Sequence, residues 1–473
     1  MRILFDQGVY DLRNKGNVAL TQVAVNRLRT MWPDATLDVM TSGPHILRLY
    51  CPGARPVSPD GAGAVARATG LSRLVTGIPR PALRLLLEVR EALWNRWPDL
   101  RRRLPLRRVG PTASPRTAAP SREGESEAAR GRDMDRTRRA AALLTGVDLL
   151  VATGAQYMSD PCKDAALGVL DLFEAASQRA IPTAMLGQGV GPFDDPELRA
   201  RACAVYPLID LILVRDRVAA PPLLASLGVD PARILFTGDD AIELAYEARR
   251  DAFGTDIGVS LRLSNYTLVT ASDTAVVCDA LHQARARHRT RLVAVPISYS
   301  SHELDERVLR EAIGEDVRLP RPGSRFLAPA GIVRNVGRCR LVVTGAFHTA
   351  VFALSQGIPA VGVARTSMYV DKFRSLADQF GPGCAVIDLA GDGVTGRLVE
   401  AIDTAWEAAD DLRAGLLDAA QRQIRLGQAA YRRLYDVVEA ARATSQSTAG
   451  GRCLASRQAP GREAPRGRSP IVR

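Results

Sequence analysis

Short runs rich in Val, Ile and Leu alternate with helix-like segments along most of this 473-residue chain, which predicts an α/β protein with parallel sheets. Two further observations support the class. The strand-like runs are continuously apolar instead of alternating, as expected of strands covered on both faces. Polar and Gly-rich clusters fall where these runs end, the edge at which open α/β sheets bind ligands. The strand–helix series occurs twice, joined near residues 245–256. Two Rossmann-like domains follow, over 1–245 and 256–440, with an interdomain cleft.

Taken in order, residues 2–6 predict a strand, 19–31 an amphipathic helix and 36–40 a second strand. Residues 148–152 predict a strand ending in Thr153-Gly154-Ala155, and 165–179 a helix. The strand at 182–186 ends in the run GQGVGP, and the strand at 208–214 ends in Arg215-Asp216-Arg217. A helix to Leu227 follows, then a strand at 234–237 ending in Gly238-Asp239-Asp240. In the second series, 256–261 is a strand ending at Arg262 and 273–287 a helix. A strand at 291–297 precedes a helix to Ile313, and 332–337 is a short helix. The strand at 341–344 ends in Gly345-Ala346-Phe347-His348 and opens a helix at 349–356. Strands at 360–363 and 385–388 flank a helix at 368–380, and residues 400 to about 442 read as a long helical region.

The formal net charge of +12 raises nucleic acid as a partner. Its location argues otherwise. Residues 95–140 carry 13 Arg against 6 acidic residues, and 442–473 carry 7 Arg against 1, so the remainder is near neutral. The Arg/Pro-rich insert, about 98–138, and the basic tail 442–473 have the composition of disordered segments. No aromatic residues interleave their arginines in a base-stacking pattern. No specific nucleic acid and no membrane span are expected. The opening residues are too short an apolar stretch for a signal peptide, which predicts a cytoplasmic protein. The seven cysteines include no Cys-x-x-Cys pair, so reduced core thiols are expected and no metal site is.

His348 is the most informative of the five histidines. It opens a helix after a buried strand, where an anion would meet unpaired backbone N–H groups, and it can exchange a proton near neutral pH. Gly345 permits close approach of backbone. Arg262 at a buried strand end should face a carboxylate or a ligand anion. Arg215 and Arg217 flank Asp216, with which one of them could pair. Lys372 is one of only three lysines. Asn14-Lys15-Gly16-Asn17 sits between the first strand and the first helix, a second anion position. Gly189 lies in GQGVGP, which lacks nicotinamide-site spacing and reads as close approach to a ligand or to the other domain. Asp239-Asp240 reads as a helix cap, with a metal site as the alternative.

The motif order resembles the polysaccharide pyruvyl transferase family. The matching pieces are Gly16-Asn17, residues 148–160, LGQGVGPF (186–193), VRDR…LLASLGV with TGDD (237–240), and TGAFHTAVFALSQGIPAVGV (344–363) followed by Lys372-Phe373. The resemblance implies a glycosyltransferase-B-like arrangement. It also implies transfer of pyruvyl from phosphoenolpyruvate, as co-substrate and with no other cofactor, to a hydroxyl pair of a glycan or glycosylated precursor as a ketal. It makes His348 the catalytic residue. Arg262, Arg215, Arg217, Gly345 and Lys372 would bind the donor, and Gly16, Asn17 and Gly189 the acceptor. The chain departs from the family pattern at Ala346, where an Arg is usual, at Val18-Ala19, and at Thr153-Gly154-Ala155. A nucleotide-sugar glycosyltransferase of the same architecture and an inactive homologue acting as a binding module are the alternatives.

Overall fold

The computed structural model describes residues 1–60, 78–96, 138–262, 267–299, 305, 309–310, 314, 317–318 and 328–455, with side chains undescribed at 90–96, 317–318 and 445–455. The insert predicted at 98–138 falls outside the described residues, except Arg138, and so does most of the predicted helix ending at Ile313.

The first sheet contains β1 (Arg2–Asp6), β2 (Thr36–Met40), β3 (Arg55–Val57), β4 (Leu149–Ala152), β5 (Ala155–Met158), β6 (Thr183–Val190), β7 (Leu211–Val214) and β8 (Ile234–Phe236). Its order is β3-β2-β1-β4-β6-β7-β8, with β5 also paired to β6. The second contains β9 (Asp256–Ser260), β10 (Leu292–Ala294), β11 (Val317–Arg318), β12 (Cys339–Thr344), β13 (Ala360–Ala364) and β14 (Cys384–Asp388), in the order β11-β10-β9-β12-β13-β14. The ladders are parallel, for example β1 with β4 and β9 with β12. Every residue of β4, β9 and β13 is buried, as their apolar runs require.

Helices α1 (Lys15–Met31), α2 (Pro44–Tyr50), α3 (Arg80–Arg96), α4 (Lys163–Ser177), α5 (Pro196–Val205), α6 (Ala220–Ser226) and α7 (Ala241–Glu247) accompany the first sheet. Helices α8 (Ala271–His288), α9 (Pro329–Val336), α10 (Phe347–Leu354), α11 (Ser367–Phe380) and α12 (Val394–Glu407) accompany the second. The chain order of the strands reverses between β1 and β4, and again between β9 and β12. A crevice opens at such a reversal, because the crossovers on either side leave in opposite directions. His348, just after β12, and Arg262, just after β9, flank the second reversal. Asn14 to Asn17 lie beyond β1 at the first.

Several expectations need correcting. Helix α1 starts four residues early, because Asn14 Oδ1 accepts from the Gly16 and Asn17 N–H groups and caps it. Gly16 and Asn17 therefore lie in its first turn. The glycine run 187–190 continues strand β6 instead of ending it, wholly buried against β5 and β7. The long helical region breaks at Ala408 into α12 and α13 (Ala409–Ala455). Helix α13 runs beyond residue 442, where the tail was expected, since extending a docked helix costs far less than nucleating one. Residues 456–473 lie outside the described residues.

Helix α13 also departs from the expected limit of the second domain. Its Leu416, Ala419 and Ala420 join an apolar core shared by both domains, whereas Ala430, Tyr431, Leu434 and Val438 pack into the first-domain core. A buried polar knot fixes this return. Asp240 accepts from Arg27 Nη1 at 2.7 Å and from Tyr431 OH at 2.7 Å. The shared core includes Leu20 and Met40 of the first domain with Phe352 and Phe373 of the second. At the crevice, the Lys15 N–H donates to the Ile297 carbonyl at 2.9 Å, and Asn14 bridges to Ser298.

Candidate active site

A cavity of about 200 Å³ occupies the crevice. Asn14, Asn17, Gln156, Cys162 and Arg215 contribute from the first domain. Arg262, Ala346, His348 and Lys372 contribute from the second. Two helices begin at its wall, α1 after Asn14 and α10 after Ala346. The second helix has no side-chain cap, so its first N–H groups remain available to an anion.

His348 is 8% exposed and its Nε2 has no hydrogen-bond partner. The nearest carboxylate oxygen, Asp239 Oδ2, stands 3.6 Å away. The ring is pressed against the first turn of α1: a Cβ added to Gly16 would lie 2.1 Å from His348 Nδ1. Glycine is thus the residue that allows this helix of one domain to meet the imidazole of the other. Burial pushes the His348 pKa well below its usual value, and Arg215, Arg262 and Lys372 push the same way. The imidazole thus favours its neutral, proton-accepting form.

Arg215 is held on three sides. Its Nη2 donates to Gln156 Oε1 at 2.7 Å, its Nη1 lies 3.4 Å from Asp239 Oδ2, and its guanidinium stacks 4.3 Å from the centre of the Phe347 ring. Arg262 is 8% exposed, and its Nε lies 3.7 Å from Asp305 Oδ1. Lys372, on the second turn of α11, has its pKa lowered well below the usual lysine range by burial and then by Arg215. Asp239 is raised by burial, against the pull of Arg215. One buried carboxylate thus faces Arg215 and His348, while two further basic side chains line the same space.

The other predicted residues divide. Asn17 lines the cavity. Gly189 does not line it. A Cβ there would lie 2.2 Å from Gln156 Oε1 and 2.8 Å from Arg215 Nη2, so the glycine leaves room for the pair that aims Arg215. Gly345 lines an adjacent narrow slot, and an added Cβ would meet only ordinary contacts there. Its carbon-free face is therefore not needed for close approach. Arg217 is misassigned as a donor ligand: it points to a separate outer groove and pairs with Asp378 at 2.7 Å. Two residues along, the chain leaving β7 has turned its side chain away from Arg215. Asp216 pairs with neither arginine side chain through the contacts seen; its Oδ1 accepts the Ala219 and Ala220 N–H groups. Asp240 belongs to the Arg27–Tyr431 knot. Among the described residues, no group of three or more His, Cys, Asp or Glu side chains could hold a metal ion. Sequence reasoning missed Gln156, Phe347 and Cys162, and it took Asp239 as a cap, or in the alternative a metal ligand, and not as the partner of Arg215. The Asp239 Oδ1 does accept the Ala241 N–H, but Oδ2 serves the site.

The model of polysaccharide pyruvyl transferases matches residues 14–367, which spans nearly all of both sheets. The chain belongs to the polysaccharide pyruvyl transferase family. As a member of that family it is a transferase enzyme. A search of curated proteins finds no match. Among solved structures, the UDP-GlcNAc 2-epimerase of Neisseria meningitidis, bound to UDP-GlcNAc, is similar at 10% identity and a TM-score of 0.52, covering 93% of this chain and 100% of that one. The Rickettsia bellii UDP-N-acetylglucosamine 2-epimerase is similar at 10% identity and 0.52, covering 93% and 97%. The glycotransferase of kitacinnamycin is similar at 13% identity and 0.48, covering 93% and 98%. The two parallel sheets and the likeness to the two epimerases give the transferase a Rossmann-like two-domain fold. No helix among its described residues is long and apolar enough to cross a membrane.

Proposed function

We propose that the protein transfers a pyruvyl group from phosphoenolpyruvate to two hydroxyls of one sugar in a glycan or glycosylated precursor. The observation that carries this reading is the set of Arg215, Arg262 and Lys372 around a buried His348 in one interdomain cavity. A donor with both a phosphate and a carboxylate needs two separated cationic positions, and planar guanidinium groups suit both oxyanions. Arg262 offers one on the second domain, where Ala346 supplies none. Arg215 offers the other on the first. The α10 N-terminus adds backbone donors.

The proton steps follow from the electrostatics. Phosphate and carboxylate charge beside His348 offsets the three cations and raises the imidazole's proton affinity. The imidazole then takes the proton of an attacking sugar hydroxyl and returns one to the methylene carbon, which becomes the methyl group. The C2–O–phosphate bond breaks and inorganic phosphate leaves. A second hydroxyl closes the ketal on C2 and releases its own proton. Asn17, which lines the cavity on the α1 side, would hold the acceptor. No metal and no further cofactor enter this scheme.

Thermal denaturation with phosphoenolpyruvate, and separately with UDP-, GDP- and TDP-sugars, tests the donor. A ligand at 100 times its Kd stabilises by about 2.7 kcal/mol. Phosphoenolpyruvate should raise Tm in the wild type and much less in Arg215→Met or Arg262→Met. Stabilisation by a nucleotide sugar alone would overturn the reading in favour of glycosyl transfer.

A further inference from the structure

Helix α3 carries apolar residues on two sides, and the first domain covers only one of them. Leu83 and Leu87 are buried in the first-domain core with Leu47 and Leu49 of α2. On the outer side, Leu85, Leu86 and Val89 are 60%, 48% and 50% exposed, and Ala82 is exposed beside them. Residues 82, 85, 86 and 89 follow the i, i+3, i+4, i+7 spacing, so they form one stripe along the helix. The third side is polar: Arg80 donates to the Leu49 carbonyl at 2.7 Å, and Arg84 pairs with Glu88 at 2.7 Å. Among the described residues, no other element exposes three large apolar side chains. Single exposed leucines are ordinary, whereas a continuous stripe of them is an interaction face.

The charge beside this stripe has one sign. Residues 80–108 carry nine Arg against three acidic residues, with Trp94 and Trp97 among them. Two copies of the chain meeting stripe to stripe would bring these stretches together, and like charge opposes that pairing. The chain's own residues 109–137 hold Val109 and Met134 as their only large apolar side chains, too few to cover the stripe. A nucleic acid would use the arginines and leave the leucines in water. An anionic lipid surface satisfies both features: hydrocarbon takes Leu and Val, headgroup phosphates take Arg, and Trp favours the boundary between them.

We propose that the outer face of α3 seats this protein on an anionic lipid surface, with the helix lying in the plane of the headgroups. The polar side, with Arg80, Arg84 and Glu88, keeps α3 at the interface and out of the bilayer core. The identity of the pyruvyl donor does not enter this argument.

The experiment sediments the full chain with vesicles of phosphatidylcholine plus phosphatidylglycerol, and with vesicles of phosphatidylcholine alone. Binding to the mixed vesicles should be on the order of tenfold stronger or more, and should fall as salt is raised to about 1 M, where charges are screened beyond about 3 Å. Leu85→Ser/Leu86→Ser should bind the mixed vesicles on the order of tenfold more weakly, because two apolar side chains are lost from the docked face. Its Tm should match that of the wild type, since both side chains are exposed in the free protein. Val89→Ser should weaken binding in the same direction, and Leu208→Ser, at an exposed leucine elsewhere on the surface, should leave it unchanged. Binding that is absent, or equal on both kinds of vesicle, overturns the proposal. So does undiminished binding by Leu85→Ser/Leu86→Ser, which would leave the arginines alone as a polyanion site. A wild-type dimer in sedimentation velocity that the double variant abolishes also overturns it, by giving the stripe to a second copy. The vesicles hold neither phosphoenolpyruvate nor sugar, so failure here leaves pyruvyl transfer standing.

Discussion

Substituting Gly16 with alanine tests the contact on which the site depends. The new methyl would lie 2.1 Å from His348 Nδ1 and 2.2 Å from its Cγ, and real Cβ contacts essentially never fall under 3.0 Å. The imidazole and the helix must therefore separate by about 0.9 Å or more, since 3.0 less 2.1 is the least that relieves the overlap. The backbone of α1 has little freedom to yield, because its Asn14 cap and the Lys15–Ile297 hydrogen bond hold it at the crevice. Overpacking of this kind costs about 1–3 kcal/mol of stability. A displacement near 1 Å of a group that must meet a reacting atom costs on the order of 100-fold in rate. Thermal melts, calorimetric titration with phosphoenolpyruvate, and phosphate release with an accepted sugar read these quantities separately. Gly396→Ala is the control, since its Cβ would meet nothing within 4 Å and the helix α12 should gain about 0.5–1 kcal/mol. A Gly16→Ala protein with wild-type Tm, affinity and turnover would refute the helix–imidazole contact.

Other expectations rest on separate features. In the empty protein, NMR titration should find His348 neutral at neutral pH and protonating only well below 6.5, with phosphoenolpyruvate raising that midpoint. Because its folded-state pKa is depressed, the stability linked to His348 is present above about 6.5 and is lost as pH falls through the folded value, so acid melts of the empty protein should drop and those with bound anion should drop less. Lys372→Met removes a buried amine whose charged form burial and Arg215 disfavour. It should leave the ligand-free fold at least as stable in urea melts, while weakening phosphoenolpyruvate binding on the order of tenfold or more. Tyr431→Phe leaves Asp240 with one buried hydrogen bond fewer and should cost about 1–3 kcal/mol in the same assay. An unchanged midpoint there would mean that the knot does not hold α13.

The strands were legible because burial on both faces writes itself as unbroken Val, Ile and Leu. The position of His348 was legible because a strand end followed at once by a helix is a local pattern. The partners that give these residues their character were not local. Gln156 reaches Arg215 only because β5 runs on after β4 beside the last residues of β6, and β5 is four residues whose Ala-Gln-Tyr-Met carries no strong strand signal. Asp239 meets His348 across more than a hundred residues of chain. Arg215 and Arg217 look equivalent in sequence, and only the path of the backbone after β7 separates one inside the crevice from one outside it. The depressed proton affinity of His348 was invisible for the same reason, since burial between the two domains produces it first and basic groups from three different elements add to it.

The path of the last helix bears on how the chain acquires its structure during synthesis. The first domain lacks part of its own hydrophobic interior until Tyr431, Leu434 and Val438 arrive, some two hundred residues after its last strand. Domains ordinarily fold in turn as they leave the ribosome. Here the amino-terminal half must wait, incompletely consolidated, until the second domain and α13 have emerged, so its maturation is tied to translation of that helix.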